Sequence, residues 1–179
     1  NLLLDICSKL NSDTQTWNIA NNIFLHGRLG LIFSVFKFKH LTALNMFKNQ
    51  VTDSGVKEMA KSKTLLNLSE LVMSDNKIGV EGARALAESK TLSNLVSLWV
   101  GDQLGDEGTK ILVESKYLTR LNLLTLYRNN IGDPGAEALA ESKNLSKLTE
   151  LNLNWNYIEP EGIKAIANSK SLTQLETLT

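Results

Sequence analysis

Six leucines, Leu41, Leu68, Leu95, Leu121, Leu148 and Leu175, recur at spacings of 27, 27, 26, 27 and 27 residues. Each of the first five opens a segment of form LxxLxL: Leu41, Leu44 and Met46 become Leu68, Leu71 and Met73, then Leu95, Leu98 and Val100. Leu121, Leu124 and Leu126 follow, then Leu148, Leu151 and Leu153. Asn49, Asn76, Asn129 and Asn156 stand three residues further on, and Val51, Ile78, Ile131 and Ile158 come after them. Glycine then recurs at Gly55, Gly82, Gly108, Gly135 and Gly162. A short Ala-rich stretch ends on Ser-Lys at 62–63, 89–90, 115–116, 142–143 and 169–170. A unit this short cannot bury its own apolar face, so neighbouring units must stack, and the period confines the chain to a solenoid.

The alternating LxL predicts a short strand with one buried face, near 43–46, 70–73, 97–100, 123–126 and 150–153. Helical spacing of Ala83, Leu86 and Ala87, or Ala136, Leu139 and Ala140, predicts helices near 54–62, 81–89, 107–115, 134–142 and 161–169. Asp53, Asp106 and Asp133 fall at expected N-caps, with Pro134 at the first helical position and Pro160 at the N-cap of the fifth unit. The glycines are expected to serve a repeated turn. The Ser-Lys pairs are expected to end each helix with a cation that offsets the dipole. The asparagine amides should satisfy backbone groups of the turn and of the next unit. The third unit is one residue short, and Gln103 replaces its asparagine, so Gly101–Leu104 should form a tighter exit loop. Parallel crossovers predict a right-handed coil.

The LxxLxLxxNxI motif and the outer segment G-x-x-A-L-A-E-S-K resemble the leucine-rich repeat family in its strand-plus-α-helix, ribonuclease-inhibitor-like form. The likeness covers 41–179 with five near-complete copies and the start of a sixth. It implies an α/β fold: a curved, horseshoe-shaped solenoid with a parallel inner sheet and outer α-helices. It also implies a module that binds another protein on its concave face. The near-identical copies are similar to those of bacterial leucine-rich repeat effectors, which would act in the cytoplasm or be delivered into a host cell.

Counting back one period places Thr14, Trp17, Ile19, Asn22 and Phe24 on the motif, with Leu29, Ile32, Phe33 and Phe38 on the inner side of the matching helix. Residues 1–40 therefore divide from 41–179 as a degenerate repeat preceded by a capping helix, with Leu3, Ile6 and Leu10 along one face. The segment 2–10 is also similar to the first helix of an F-box, which would make the chain a substrate adaptor of a ubiquitin ligase. The proline-containing start of an F-box is absent. The chain begins at Asn1 and stops within Leu175–Thr179, the strand of a sixth unit, so continuation beyond Thr179 is expected.

Lys plus Arg and Asp plus Glu each number 19, so the chain has no net basic charge to meet nucleic acid. Its longest apolar run, near Gly30–Phe36, is far short of the ~20 residues of a membrane span. Cys7 is the single cysteine, which excludes an internal disulfide, and with His26 and His40 it is too little for a His/Cys zinc site. No GxxxxGK[ST] loop or catalytic constellation occurs, so no cofactor, metal or small-molecule substrate is expected, and no enzymatic activity.

Binding residues are sought among those that do not repeat. Alternate strand side chains face away from the core. Four of the six aromatics from residue 41 onward, Phe47, Trp99, Tyr127 and Trp155, occupy such positions, and Tyr157 lies beside them. Exposed aromatics interleaved with charge have the composition of a protein-binding hot spot. The candidate surface is Phe47, Lys48, Glu70, Asp75, Trp99, Asp102, Tyr127, Arg128, Glu150, Trp155 and Tyr157. Trp99, Tyr127, Arg128 and Trp155 are expected to form one patch across three units, with Lys48, Asp75 and Asp102 in the column of Arg128.

Overall fold

Residues 15–19, 32 and 40–179 are described in this computed structural model. The proposed capping helix, the F-box-like segment and most of the degenerate repeat lie outside them. Strands β1 (Thr16–Asn18), β2 (Ala43–Asn45), β3 (Glu70–Met73), β4 (Ser97–Val100), β5 (Leu123–Thr125), β6 (Glu150–Asn152) and β7 (Thr177–Leu178) form one open sheet in chain order. Every pairing is parallel. Register follows the repeat, so Leu44, Leu71, Leu98, Leu124 and Leu151 stand opposite one another. Helices α1 (Asp53–Ala60), α2 (Val80–Ala87), α3 (Gly105–Val113), α4 (Asp133–Glu141) and α5 (Pro160–Ala167) alternate with the strands. Each helix packs on its sequence neighbours. The motif leucines and the inner helix residues Val56, Met59, Leu86, Leu112, Leu139 and Ile166 fill the layer between, and Trp17, Ile19 and Ile32 join the same core. Fully burying such a side chain contributes about 1.5–3 kcal/mol.

Strands fall within a residue of their expected places, while the helices start one or two residues earlier and stop one or two earlier than expected. The helix-end chemistry also differs. Thr52, Gly79, Leu104, Gly132 and Glu159 are the N-caps, and none makes a side-chain cap bond. Asp53, Asp106 and Asp133 are instead inside the first turn, and their carboxylates reach across to the following unit. The Gly79 N–H donates to Asp53 at 2.8 Å and the Glu159 N–H to Asp133 at 2.8 Å. Asp106 accepts from both Gly132 (2.7 Å) and Gly135 (3.0 Å). Each aspartate thus caps its neighbour's helix, where orphan N–H groups and the positive dipole end favour a carboxylate. Pro160 is the first residue of α5 rather than its N-cap.

The recurring glycines sit inside the helices, not in a turn. A Cβ on Gly135 would lie 2.5 Å from Ile131 and 2.6 Å from Asp106, and one on Gly82 would meet Ile78 and Asp53 in the same way. Space between units therefore selects glycine here. The Ser-Lys pairs lie at or past the helix ends. Ser89, Ser115, Ser142 and Ser169 donate to the carbonyls of Ala60, Ala87, Val113 and Ala140, one unit back. The cations of the last turns are Lys57, Arg84, Lys110 and Lys164 instead.

The asparagines form a third ladder, and it points to the preceding unit rather than the next. Asn76 Oδ1 accepts from the N–H groups of Asn49 (3.0 Å) and Val51 (2.8 Å), and Asn76 Nδ2 donates to Met46 and Met73. Asn129 and Asn156, two and three units further along, repeat the pattern. Gln103 is exposed and takes no such bond.

Candidate concave groove and rim cleft

The sheet face turned from the core carries three rows of side chains. The first runs through Glu70, Ser97, Leu123 and Glu150, and the second through Asn45, Val72, Trp99, Thr125 and Asn152. Two residues further along the chain come Phe47, Ser74, Gly101, Tyr127 and Asn154. A groove of about 480 Å³ opens on this face, lined by Phe47, Glu70, Val72, Trp99 and Tyr127 among others. Trp99 is 39% exposed, and its Nε1 donates to Ser97 Oγ at 3.2 Å. Thr125, beside it, is buried. Gly101 lets the chains close up: a Cβ there would lie 2.6 Å from the Tyr127 carbonyl oxygen.

A second hollow, of about 680 Å³, lies where the chain leaves the strands. Lys48, Asp75, Asp102, Arg128, Trp155 and Tyr157 line it, with Asn76, Lys77, Gln103, Asn130 and Asn156. The expected single patch is therefore divided. Phe47, Glu70, Trp99 and Tyr127 share the groove, and the other six candidates share the cleft, while Glu150 lines neither. The backbone explains the division. Lys48, Asp75, Arg128 and Trp155 have φ of 55°, 56°, 59° and 60°. This left-handed turn ends the strand alternation and swings the column to the rim. Trp155 and Tyr157 are the most exposed aromatics of the described residues, at 76% and 72%. Lys77 and Asn130, which sequence reasoning missed, each follow a ladder asparagine, and that adjacency was their only signal.

Asp102 is the anomaly of the cleft. It belongs to the shortened unit, and its φ of 154° is unusual for a residue with a side chain. Its Oδ2 is enclosed without a hydrogen-bond partner. Burial pushes its carboxyl up to about 6, and the neighbouring Asp75 charge adds to this. The backbone N–H groups of Asn76 and Asp75 and the Arg128 charge pull in the other direction. Asp102 thus lies against backbone that the missing ladder asparagine would have served.

Among the described residues no group of three His, Cys, Asp or Glu side chains could hold a metal ion, and no helix is long and apolar enough to cross a membrane. Ion pairs among them are confined to helix residues, Lys57 and Arg84 with Glu81, and Lys164 with Glu161.

No curated protein matches the chain. Among solved structures, an internalin from Listeria monocytogenes is similar at 27% identity and a TM-score of 0.56, over 78% of this chain and 35% of that one. The chain thus spans about a third of the internalin's length. A protein from Bacteroides fragilis matches at 12% identity and a TM-score of 0.38, over 98% of this chain and 76% of that one. The model of the leucine-rich repeat family matches 39–60, 64–87, 114–140 and 144–167, passing over the strand and helix of the shortened third unit. With its own 27-residue step answering that model over more than half its length, the chain belongs to the leucine-rich repeat family, whose members generally bind other proteins.

Proposed function

We propose that the chain is a protein-binding module that holds its partner in the concave groove around Trp99 and Tyr127 and performs no chemistry of its own. The supporting observation is the division of labour among residues. The repeating positions are used by the core and the three ladders, whereas the large non-repeating side chains are left on the open face and its rim. Trp and Tyr offer wide apolar area with few rotors to freeze. Phe47, Trp99 and Tyr127 supply the anchors, and Glu70 and Glu150 flank them. Lys48, Asp75, Asp102 and Arg128 at the rim set orientation and association rate more than affinity. Trp155 and Tyr157 extend the contact over the rim.

Occluding or regulating an enzyme of a host cell is the concrete form we favour, supported by the likeness to a bacterial internalin and by the near-identical units. The test begins with co-purification and mass spectrometry to identify the partner, followed by calorimetric titration. Trp99→Ala is expected to weaken binding by ~2 kcal/mol or more, with the far-UV circular dichroism spectrum unchanged. Trp155→Ala reports the rim separately. If Trp99→Ala binds as tightly as the parent, the concave groove is not the interface.

A further inference from the structure

Across the three concave rows, the described strands carry only two charged side chains, Glu70 and Glu150, and both are exposed. Neither carboxylate has a hydrogen-bond or ion-pair partner among the described residues. Both stand in the first row, on β3 and β6, with the exposed Trp99 in the next row on β4 between them. Cations lie beyond both ends of the rows: Lys48 and Arg128 line the rim cleft, and the exposed Arg120 and Lys147 stand three residues before Leu123 and Glu150. Lys48 and Arg128 lie five residues further along the chain than the first row, past the left-handed turn that follows the strands. Within its three rows the groove therefore carries only acidic charge beside an aromatic floor.

We infer that the partner enters this groove with an extended basic segment that crosses the strands, bearing two Lys or Arg side chains four residues apart and an apolar side chain midway. The inference rests on the concave-face reading and specifies its chemistry. Three strand spacings separate β3 from β6, roughly 14 Å in all, and residues i and i+4 of an extended chain lie on one face about 13 Å apart. Two cations at that spacing meet Glu70 and Glu150 together, and residue i+2 is carried over the aromatic floor near Trp99. An acidic segment would face two unpaired carboxylates, and like-charge juxtaposition disfavours it.

The probe is a cyclised hairpin peptide carrying Arg-Thr-Leu-Thr-Arg on one strand, compared with the same hairpin carrying Glu in place of both Arg. Binding is measured by calorimetry and by amide chemical-shift changes on the 179-residue chain. The Arg hairpin is expected to bind, at least tenfold more tightly than the Glu hairpin, and to weaken as salt is raised. Glu70→Gln with Glu150→Gln is expected to weaken it at least tenfold, since both side chains are exposed and their loss leaves the core intact. No binding of the Arg hairpin, equal binding of the two hairpins, or a double variant within twofold of the parent would overturn the basic segment. If Trp99→Ala abolishes binding while the double variant does not change it, the groove stands and the basic partner falls. If the Arg hairpin binds unchanged in Trp99→Ala, the concave-groove reading fails as well.

Discussion

Asp102 and Asn129 show how much one residue decides in a stacked fold. The Asp102 carboxyl ionises at about 6, against an ordinary 3.8. Between those values the folded chain keeps a proton that the unfolded chain releases. Its contribution is therefore most favourable below the unfolded value and is lost as pH rises through 6. Half exposure reduces the effect to about 1 kcal/mol. Asp102→Asn is expected to remove that part of the pH slope and to raise the urea midpoint at pH 7, while changing little at pH 3.5. Urea melts of parent and variant across pH 3.5–7.5 measure this, and parallel curves would contradict it. Asn129 serves Asp102, Leu104 and Val100 of the unit before it from a fully buried position. Asn129→Ala is expected to cost ~1–3 kcal/mol. Gln103→Ala, at the equivalent but exposed position, should stay within about 0.5 kcal/mol. Equal costs in chemical denaturation would show that the ladder does not distinguish the two.

At the scale of elements, strands were readable and helix ends were not. An LxL alternation carries its own explanation, because the two-residue period sends its leucines to one face wherever the strand lies. A helix end has no such local account here. Asp106 reads as an N-cap from its neighbours in sequence, yet its carboxylate serves Gly132 and Gly135 of the next unit, at |i−j| of 26 and 29. Gly135 reads as a turn residue, yet it is chosen by the lack of room against Asp106 and Ile131. The site shows the same limit. Trp99 and Tyr127 stood out because they fail to repeat, but nothing in the identities of Lys48, Arg128 or Trp155 announces a left-handed φ. The division between groove and cleft was therefore hidden. Asp106→Ala tests the cross-unit cap directly. The amides of Gly132 and Gly135 are expected to exchange at least tenfold faster, with a global cost of ~1–2 kcal/mol. Unchanged exchange at both glycines would remove Asp106 from that role.

For the whole molecule, stability is a sum over units and the contacts between them, so the cost of a cavity depends on where it is made. Leu124 is fully buried in the fourth unit, with a strand on either side. Leu124→Ala is expected to cost ~2–5 kcal/mol. Leu178, 44% exposed on β7, should cost about 1 kcal/mol or less when truncated. Equal shifts of the thermal midpoint in the two variants would argue against the stacked core. The three ladders add a polarity to this arrangement. Each ladder asparagine and serine reaches one unit back, and each first-turn aspartate one unit forward, so a junction draws on groups from both sides. At the junction of the second and third units, Val80 and Gln103 stand where the aspartate and the asparagine would be. Such a chain can lengthen by copying one whole 27-residue segment in tandem, because the copy arrives with the groups its new neighbours require. A change of length within a unit carries no such guarantee, and the shortened third unit shows what accommodating one involves: a strained aspartate standing in where an asparagine was lost.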